Sequence, residues 1–354
     1  MSKGEKVIKV TNPYNAEELA NQIHLQKRNA WDLMDDIPWH LAVDESKYLL
    51  PIDDEALAFP GASAEQRLAL SQWMGLVVNT TISEMEDALP KLKFTGWEKV
   101  LRNYPANPEL WEVGELFFEE EAKHSRAFTK YLELFCLSHG IEKAELDTLL
   151  PKAFGSFFQK SISFNADTGG HAFWWVVASV EEVSIRIFQQ LLRVRKEVDP
   201  LFYQLHKRHL EEESRHANYA YLMLNLIKHQ PMTLRGLLHR KTNFLIAQIV
   251  GGPWVMAELM KFFNVKKLKN KHPFFEVLHS CIPLYEKLSM QQKVSRVFVG
   301  APYISWLMNP TWKENQNFYA KELSVIQCPF PKLNETELHV EQKVETKEKD
   351  DKAS

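Results

Sequence analysis

His209-Leu-Glu-Glu-Glu-Ser-Arg-His216 decides the reading of this chain, together with its near copy Glu119-Glu-Glu-Ala-Lys-His124. Each copy runs three glutamates, a small residue, a basic residue and a histidine. In both, the last Glu and the His stand three apart (Glu121 and His124, Glu213 and His216), so on a helix they share one face. A carboxylate and an imidazole one turn apart can reach the same metal ion. Four-helix bundles that hold two metal ions carry a Glu-x-x-His unit on each of two helices and take one further Glu from each of the other two. A single Glu-rich helix is ordinarily a solvated face. Two near-identical copies on separate long helices call for a different explanation, and the expected architecture is an all-α, four-helix bundle with additional helices.

The helices that carry the two motifs have clear boundaries. Asn107-Pro108-Glu109 is a strong start, with Asn as N-cap, Pro in the first turn and Glu near the positive end; the helix continues to about His139-Gly140. Asp199-Pro200 starts the other, which runs to about His229. Two more long helices are expected. One begins at Ser63, where Ser63-x-x-Gln66 suits a capping box, and is stopped by Pro90. The other spans about His171 to Val198. A polar helix from Asn15 to about Asp36 precedes them, and further helical segments are expected near 232–250, 254–264 and 272–296. No run alternates long enough to build a sheet. A single helical domain over residues 1–332 is expected, followed by a charged, Glu/Lys-rich tail over 333–354.

The bundle rule then requires one carboxylate from each of the other two helices. In the first, Trp73, Val77, Thr80 and Glu84 follow the spacing of one apolar face, which favours Glu84. Glu86 shares its face with Gln72, Asn79 and Ser83, a set that reads as the wet side. In the third core helix Glu181-Glu182 interrupts the apolar run Ala172–Val180, and phase does not choose between these neighbours. A carboxylate within such a run needs a cation or a hydrogen-bond partner. His209 stands four before Glu213, so 209, 213 and 216 form one stripe and a third imidazole can join the site. The matching position of the other helix is Phe117. His206 continues the stripe one turn earlier, beside the cluster, and the spacing leaves its role open.

Composition excludes other classes. A net charge of −3 over 354 residues supplies no basic field for nucleic acid. The most apolar run, Phe244–Met260, is broken by Gln248, Gly251, Gly252, Pro253 and Glu258, so no membrane span is expected. Cys136, Cys281 and Cys328 form no metal or disulfide pattern and favour a reducing cytoplasm. The opening Met-Ser-Lys-Gly-Glu-Lys has no apolar core behind it, so no secretion signal is expected. Carboxylates and imidazoles without thiolates suit iron better than structural zinc. A Gly-x-Gly-x-x-Gly turn and a cysteine cluster are both lacking, so the chain is not expected to bind NAD(P)H or to carry an electron relay of its own.

At Gln66-Arg67, Trp73-x-Gly75, Glu84, Glu121-x-x-His124, Glu182, Pro200, His209, Glu213 and His216 the chain resembles the p-aminobenzoate N-oxygenases and related arylamine oxygenases. The resemblance spans roughly residues 55 to 230. It implies a ferritin-like fold, a homodimer and a seven-residue ligand set of Glu84, Glu121, His124, Glu182, His209, Glu213 and His216, choosing Glu182 over Glu181. It further implies two iron ions (Fe2+/Fe3+), with manganese as a substitute, that activate O2 and oxygenate a small substrate such as an aromatic amine. Competing readings are a hydroxylase, desaturase or oxidase acting on an aliphatic or carrier-bound substrate, and a non-catalytic iron-binding protein.

Overall fold

The computed structural model describes residues 16–50, 60–102, 107–152, 171–229, 260–268 and 272–288. The expected tail over 333–354 and the helices expected near 232–250 lie outside these residues. Helix α1 spans Ala16–Asn29, α2 Ala64–Lys93, α3 Pro108–His139, α4 His171–Arg193, α5 Pro200–His229 and α6 Pro273–Ser280. Among the described residues there is no named strand; Tyr48 and Val198 make one isolated bridge. None of the described helices is long and apolar enough to cross a membrane.

Local chemistry sets the ends of these helices. Ser63 caps α2 and Gln66 returns a bond to the Ser63 amide at 2.9 Å, completing the capping box. Pro108 occupies the first turn of α3, and Gly140 ends that helix at φ 65°, where a Cβ would be strained. Buried Asp199 caps α5 by accepting from the Phe202 amide at 2.7 Å. The same carboxylate accepts from the Asp44 amide and the Tyr131 hydroxyl, tying the segment before α2 to the bundle. Pro90 does not end α2, as the sequence suggested. The helix continues to Lys93 and passes into a π-helical turn, Phe94–Glu98. A proline removes one backbone bond, here to the Glu86 carbonyl, and tertiary packing carries the helix through.

Helices α2 and α3 pack together, as do α4 and α5, with α1 laid across α3 and α5. The apolar core is divided in two. One cluster takes residues 69–82 of α2, 127–136 of α3, 187–191 of α4 and 201–210 of α5. The other takes 85–92, 110–118, 173–178 and 219–227 of the same helices. Thus α2 and α5 run one way, α3 and α4 the other. Between the two apolar halves lies a buried layer of charged and polar side chains, which contains both Glu-x-x-His pairs.

Packing beside this layer is close. A Cβ on Gly114 of α3 would lie 2.3 Å from Trp97 Cζ2 and 2.4 Å from the Tyr219 hydroxyl. Gly114→Ala should therefore destabilise the protein by about 1–3 kcal/mol, as overpacked cores do. A shift of the denaturant midpoint without a change of slope would show it; an unchanged midpoint would mean that the indole yields freely.

Candidate metal centre

Three groups of buried side chains converge: Glu86, His124, His209 and Glu213; Glu121, His124 and His216; and Glu181, Glu213 and His216. Glu213 belongs to two of them. Its Oε1 lies 3.3 Å from His124 Nδ1, 3.0 Å from His209 Nε2 and 3.4 Å from His216 Nδ1. Glu86 Oε1 lies 2.8 Å from His209 Nε2, and Glu121 Oε1 lies 3.0 Å from His216 Nδ1. One oxygen of Glu213 thus faces all three converging imidazoles.

The expected residues Glu121, His124, His209, Glu213 and His216 are brought together. Of the remaining two, the structure brings Glu86, not Glu84, and Glu181 to the cluster. Glu84 is half-buried and stands outside all three groups, and the side chain of Glu182 lies outside the described residues. The polar face of α2 that looked wet is the face turned inward. Gln72 donates to the carbonyls of Glu45 and Lys47, Asn79 Oδ1 meets His206 Nε2 at 3.0 Å, Ser83 bonds Ser125 and Thr129, and Glu86 meets His209. The signal was present: polar residues at 72, 79, 83 and 86 follow a 7, 4, 3 helical spacing. Such a stripe points to solvent by default because buried polar stripes are less common than solvated ones.

A second ring of groups holds the imidazoles, and the sequence reading missed it. His124 Nε2 lies 2.6 Å from Glu212, while His216 Nε2 lies 2.8 Å from Glu120. Each histidine therefore turns Nδ1 toward the centre and Nε2 toward the glutamate that precedes the converging Glu of the opposite helix. Lys123 bonds Glu212 at 2.7 Å, and Gln26 of α1 donates to Glu120 at 3.1 Å. Arg215 Nη2 stands 3.5 Å from Glu120 and 3.7 Å from Glu212. The repeated Glu-Glu-small-basic-His thus has a task at every charged position: an outer carboxylate, an inner carboxylate, a cation for the outer carboxylate, and an imidazole. His206 stands outside the three groups, its Nε2 held by Asn79.

Electrostatics follow from burial. Desolvation raises Glu121 to about 7 and pushes Glu86 and Glu181 well above the ordinary carboxylate range. Burial also lowers His124, to about 4. At His209 burial opposes the charge, but Glu213 and Glu86 overcome it and raise the imidazole to about 10. At Glu212 burial is outweighed by His124 and Lys123, which bring it down to about 2. The fit to a metal pair rests on donors left over. Among the described residues, both carboxylate oxygens of Glu121 and of Glu213, Glu86 Oε2, Glu181 Oε1, and Nδ1 of His124 and His216 make no hydrogen bond although they are buried. Buried polar atoms are ordinarily satisfied, and four clustered carboxylates call for compensating cation charge. Carboxylate and imidazole donors without thiolate suit iron or manganese.

Loss of an outer carboxylate should act through the imidazole that it holds. Glu212→Ala is expected to weaken metal binding by about 10- to 100-fold while the protein stays folded. A metal titration with circular dichroism checks this, and unchanged affinity would remove Glu212 from the site.

The profile of the p-aminobenzoate N-oxygenase AurF family matches residues 15–262. The chain is also similar to solved structures of an R2-like ligand-binding oxidase with an aerobically reconstituted Mn/Fe cofactor. One variant aligns with a TM-score of 0.44 and 14% identity over 83% of this chain and 98% of that one. A second aligns with a TM-score of 0.44 and 14% identity over 85% and 93%. A long-soak form aligns with a TM-score of 0.40 and 15% identity over 81% and 93%. No curated protein matches the chain. With well over half of its residues matched, the chain belongs to the p-aminobenzoate N-oxygenase AurF family, whose members are di-iron oxygenases.

Proposed function

We propose that Glu86, Glu121, His124, Glu181, His209, Glu213 and His216 hold two iron ions, or a manganese–iron pair, and that the protein N-oxygenates a primary aromatic amine with O2. The observation that carries this reading is the convergence of four carboxylates and three imidazoles in a layer closed on both sides by apolar core. When bound, the metal pair supplies O2 reduction and oxygen-atom transfer. The chain's own groups do the rest. Glu213 stands between the two sets of donors, and Glu120 and Glu212 orient the imidazoles from behind. His209 replaces an oxygen donor by nitrogen on the Glu86 side. The apolar halves of the core keep water away from the reacting atoms.

Reduction is assigned to a separate protein or small-molecule donor, and a homodimer is the proposed assembly, to be checked by light scattering. The test of the function is direct. Iron-loaded protein, chemically reduced under argon and mixed with O2, should convert p-aminobenzoate or a related arylamine to its hydroxylamine or nitroso product in single turnover. Oxygen from ¹⁸O2 should appear on nitrogen. Oxygen found on a carbon of an aliphatic panel member, with arylamines untouched, would replace this reading by a hydroxylase. Iron uptake without any oxygenated product would leave a binding protein.

A further inference from the structure

One side of the centre is joined to the surface by a run of aromatic rings. Where α5 has His209, the matching position of α3 is Phe117, and its ring meets His216 edge-on at 4.9 Å. Phe117 lies 5.6 Å from Tyr219 and 5.7 Å from Trp174. Trp97 Nε1 donates to the Tyr219 hydroxyl at 2.6 Å, and the Trp97 ring stands 5.1 Å from Trp111. Trp97, Trp174 and Tyr219 are fully buried, whereas Trp111 is half-buried and borders water. The run is specifically built. The π-helical turn Phe94–Glu98 carries Trp97, the Gly96 carbonyl in that turn accepts from Trp174 Nε1 at 2.8 Å, and Gly114 leaves just the space that the Trp97 and Tyr219 rings fill. π-Turns of this kind are frequent at functional sites.

The chemistry of the rings orders them. Tyr219 donates its proton to the Leu110 carbonyl at 3.2 Å. An amide oxygen is too weak a base to take that proton, so Tyr219 is a poor place for an electron vacancy to rest. Indoles can lose an electron while keeping N–H. On the other side of the centre His124 stacks on Trp31 at 5.6 Å, but the Lys123 ammonium stands 4.1 Å over that indole and opposes a positive charge there. Lys93 stands farther from Trp97, at 5.1 Å, and is paired with Glu115 toward solvent.

We infer that Trp97 and Trp111, coupled to the centre through Tyr219, Trp174 and Phe117, supply electrons to the metal pair when it is oxidised with no amine at hand. This rests on the di-iron reading above. One electron leaves Trp97 and reduces the metal pair by one equivalent. Trp97 is refilled from Trp111, and oxidised Trp111 releases its indole proton to water. A one-electron reductant of the ascorbate or thiol class then returns the electron, and water returns the proton. Without such a reductant, Trp111 passes a second electron along the same path to the metal pair, and addition of a water oxygen with release of a proton converts it to a hydroxytryptophan. The path thus moves oxidation away from the ligands to a replaceable surface position.

The experiment exposes iron-loaded full-length protein to hydrogen peroxide without amine or reductant, with metal-free protein as control. Organic radicals are followed by freeze-quench electron paramagnetic resonance, and added oxygen is located by peptide mass spectrometry. Metal-dependent oxygen is expected chiefly on Trp111, with a transient tryptophan radical. In Trp97→Phe it should fall severalfold at Trp111 and rise around Phe117 and His216. Trp111→Phe, at a half-buried position, should abolish the surface adduct and prolong the radical. Ascorbate should suppress both signals in the wild type. The same adduct pattern in Trp97→Phe, Trp111→Phe and wild type at all remaining positions would overturn the path while leaving the di-iron reading in place. Iron that is not retained, or peroxide consumed no faster than by the metal-free control, would instead overturn the di-iron reading and the path with it.

Discussion

Glu86→Gln is expected to lower the metal content of iron-loaded protein from about two ions per chain to one or fewer, whereas Glu84→Gln leaves it unchanged. Glutamine keeps the volume and loses the charge, so a change in metal content reports ligation and not packing. Glu86 faces His209 and belongs to the group with His124 and Glu213, while Glu84 lies outside all three groups. Single-turnover oxygenation should fall by at least ~100-fold in Glu86→Gln, beyond the range seen for groups that act only through a ligand. Glu181→Gln should behave as Glu86→Gln does. Metal analysis on four samples, wild type and the three variants, decides the matter. Full metal in Glu86→Gln together with loss in Glu84→Gln would reverse the assignment.

The second large effect is the coupling of metal, pH and stability. Without metal, Glu121 is raised from 4.5 to about 7 by burial, so its contribution declines as pH rises through that interval. His209 is raised from 6.5 to about 10, because Glu213 and Glu86 outweigh burial. Its stabilisation is fully present below 6.5 and is lost as pH rises through about 10. His124, lowered from 6.5 to about 4, acts the other way, gaining stability as pH rises, but only below 6.5. Above pH 6.5 these residues therefore agree in sign, and the melting temperature of metal-free protein should fall steadily toward pH 10. Bound cations stabilise the ionised carboxylates, so loading should remove most of that slope. It should also add about 2.7 kcal/mol for each ion held at 100 times its Kd, or several degrees of Tm. Calorimetry of both forms across this range provides the check; parallel curves would show that the buried carboxylates are not where metal binds.

Much of this is legible in the amino-acid sequence alone. The doubled Glu-x-x-His spacing specifies which residues of α3 and α5 converge, because three residues along a helix fix a shared face whatever else surrounds it. Ser63-x-x-Gln66, Asn107-Pro108 and Asp199-Pro200 mark helix starts for equally local reasons: orphan amides, a preset φ and a carboxylate within reach. The extra imidazole of His209 follows from the same arithmetic. The helical class needs only the absence of alternating runs and the presence of long periodic ones.

What the sequence did not decide depends on which face of a helix meets which neighbour. Glu84 shares a stripe with Trp73 and Val77, and Glu86 with Gln72, Asn79 and Ser83; periodicity separates the stripes without saying which one looks inward. Residues 69–80 of α2 are all buried, so the usual contrast between apolar and wet faces disappears along this stretch. The polar stripe is turned toward α3 and α5 because their own polar residues, Ser125, Thr129, His206 and His209, wait there to satisfy it. Glu181 and Glu182 differ by one helical step, and the packing of α4 on α5 brings Glu181 to the cluster. The outer carboxylates are long-range as well: each Glu-Glu pair looks like surface charge until the opposite helix places a histidine against its first member. Local spacing determines which donors share a helix face, and tertiary packing determines which of those faces is paired with another.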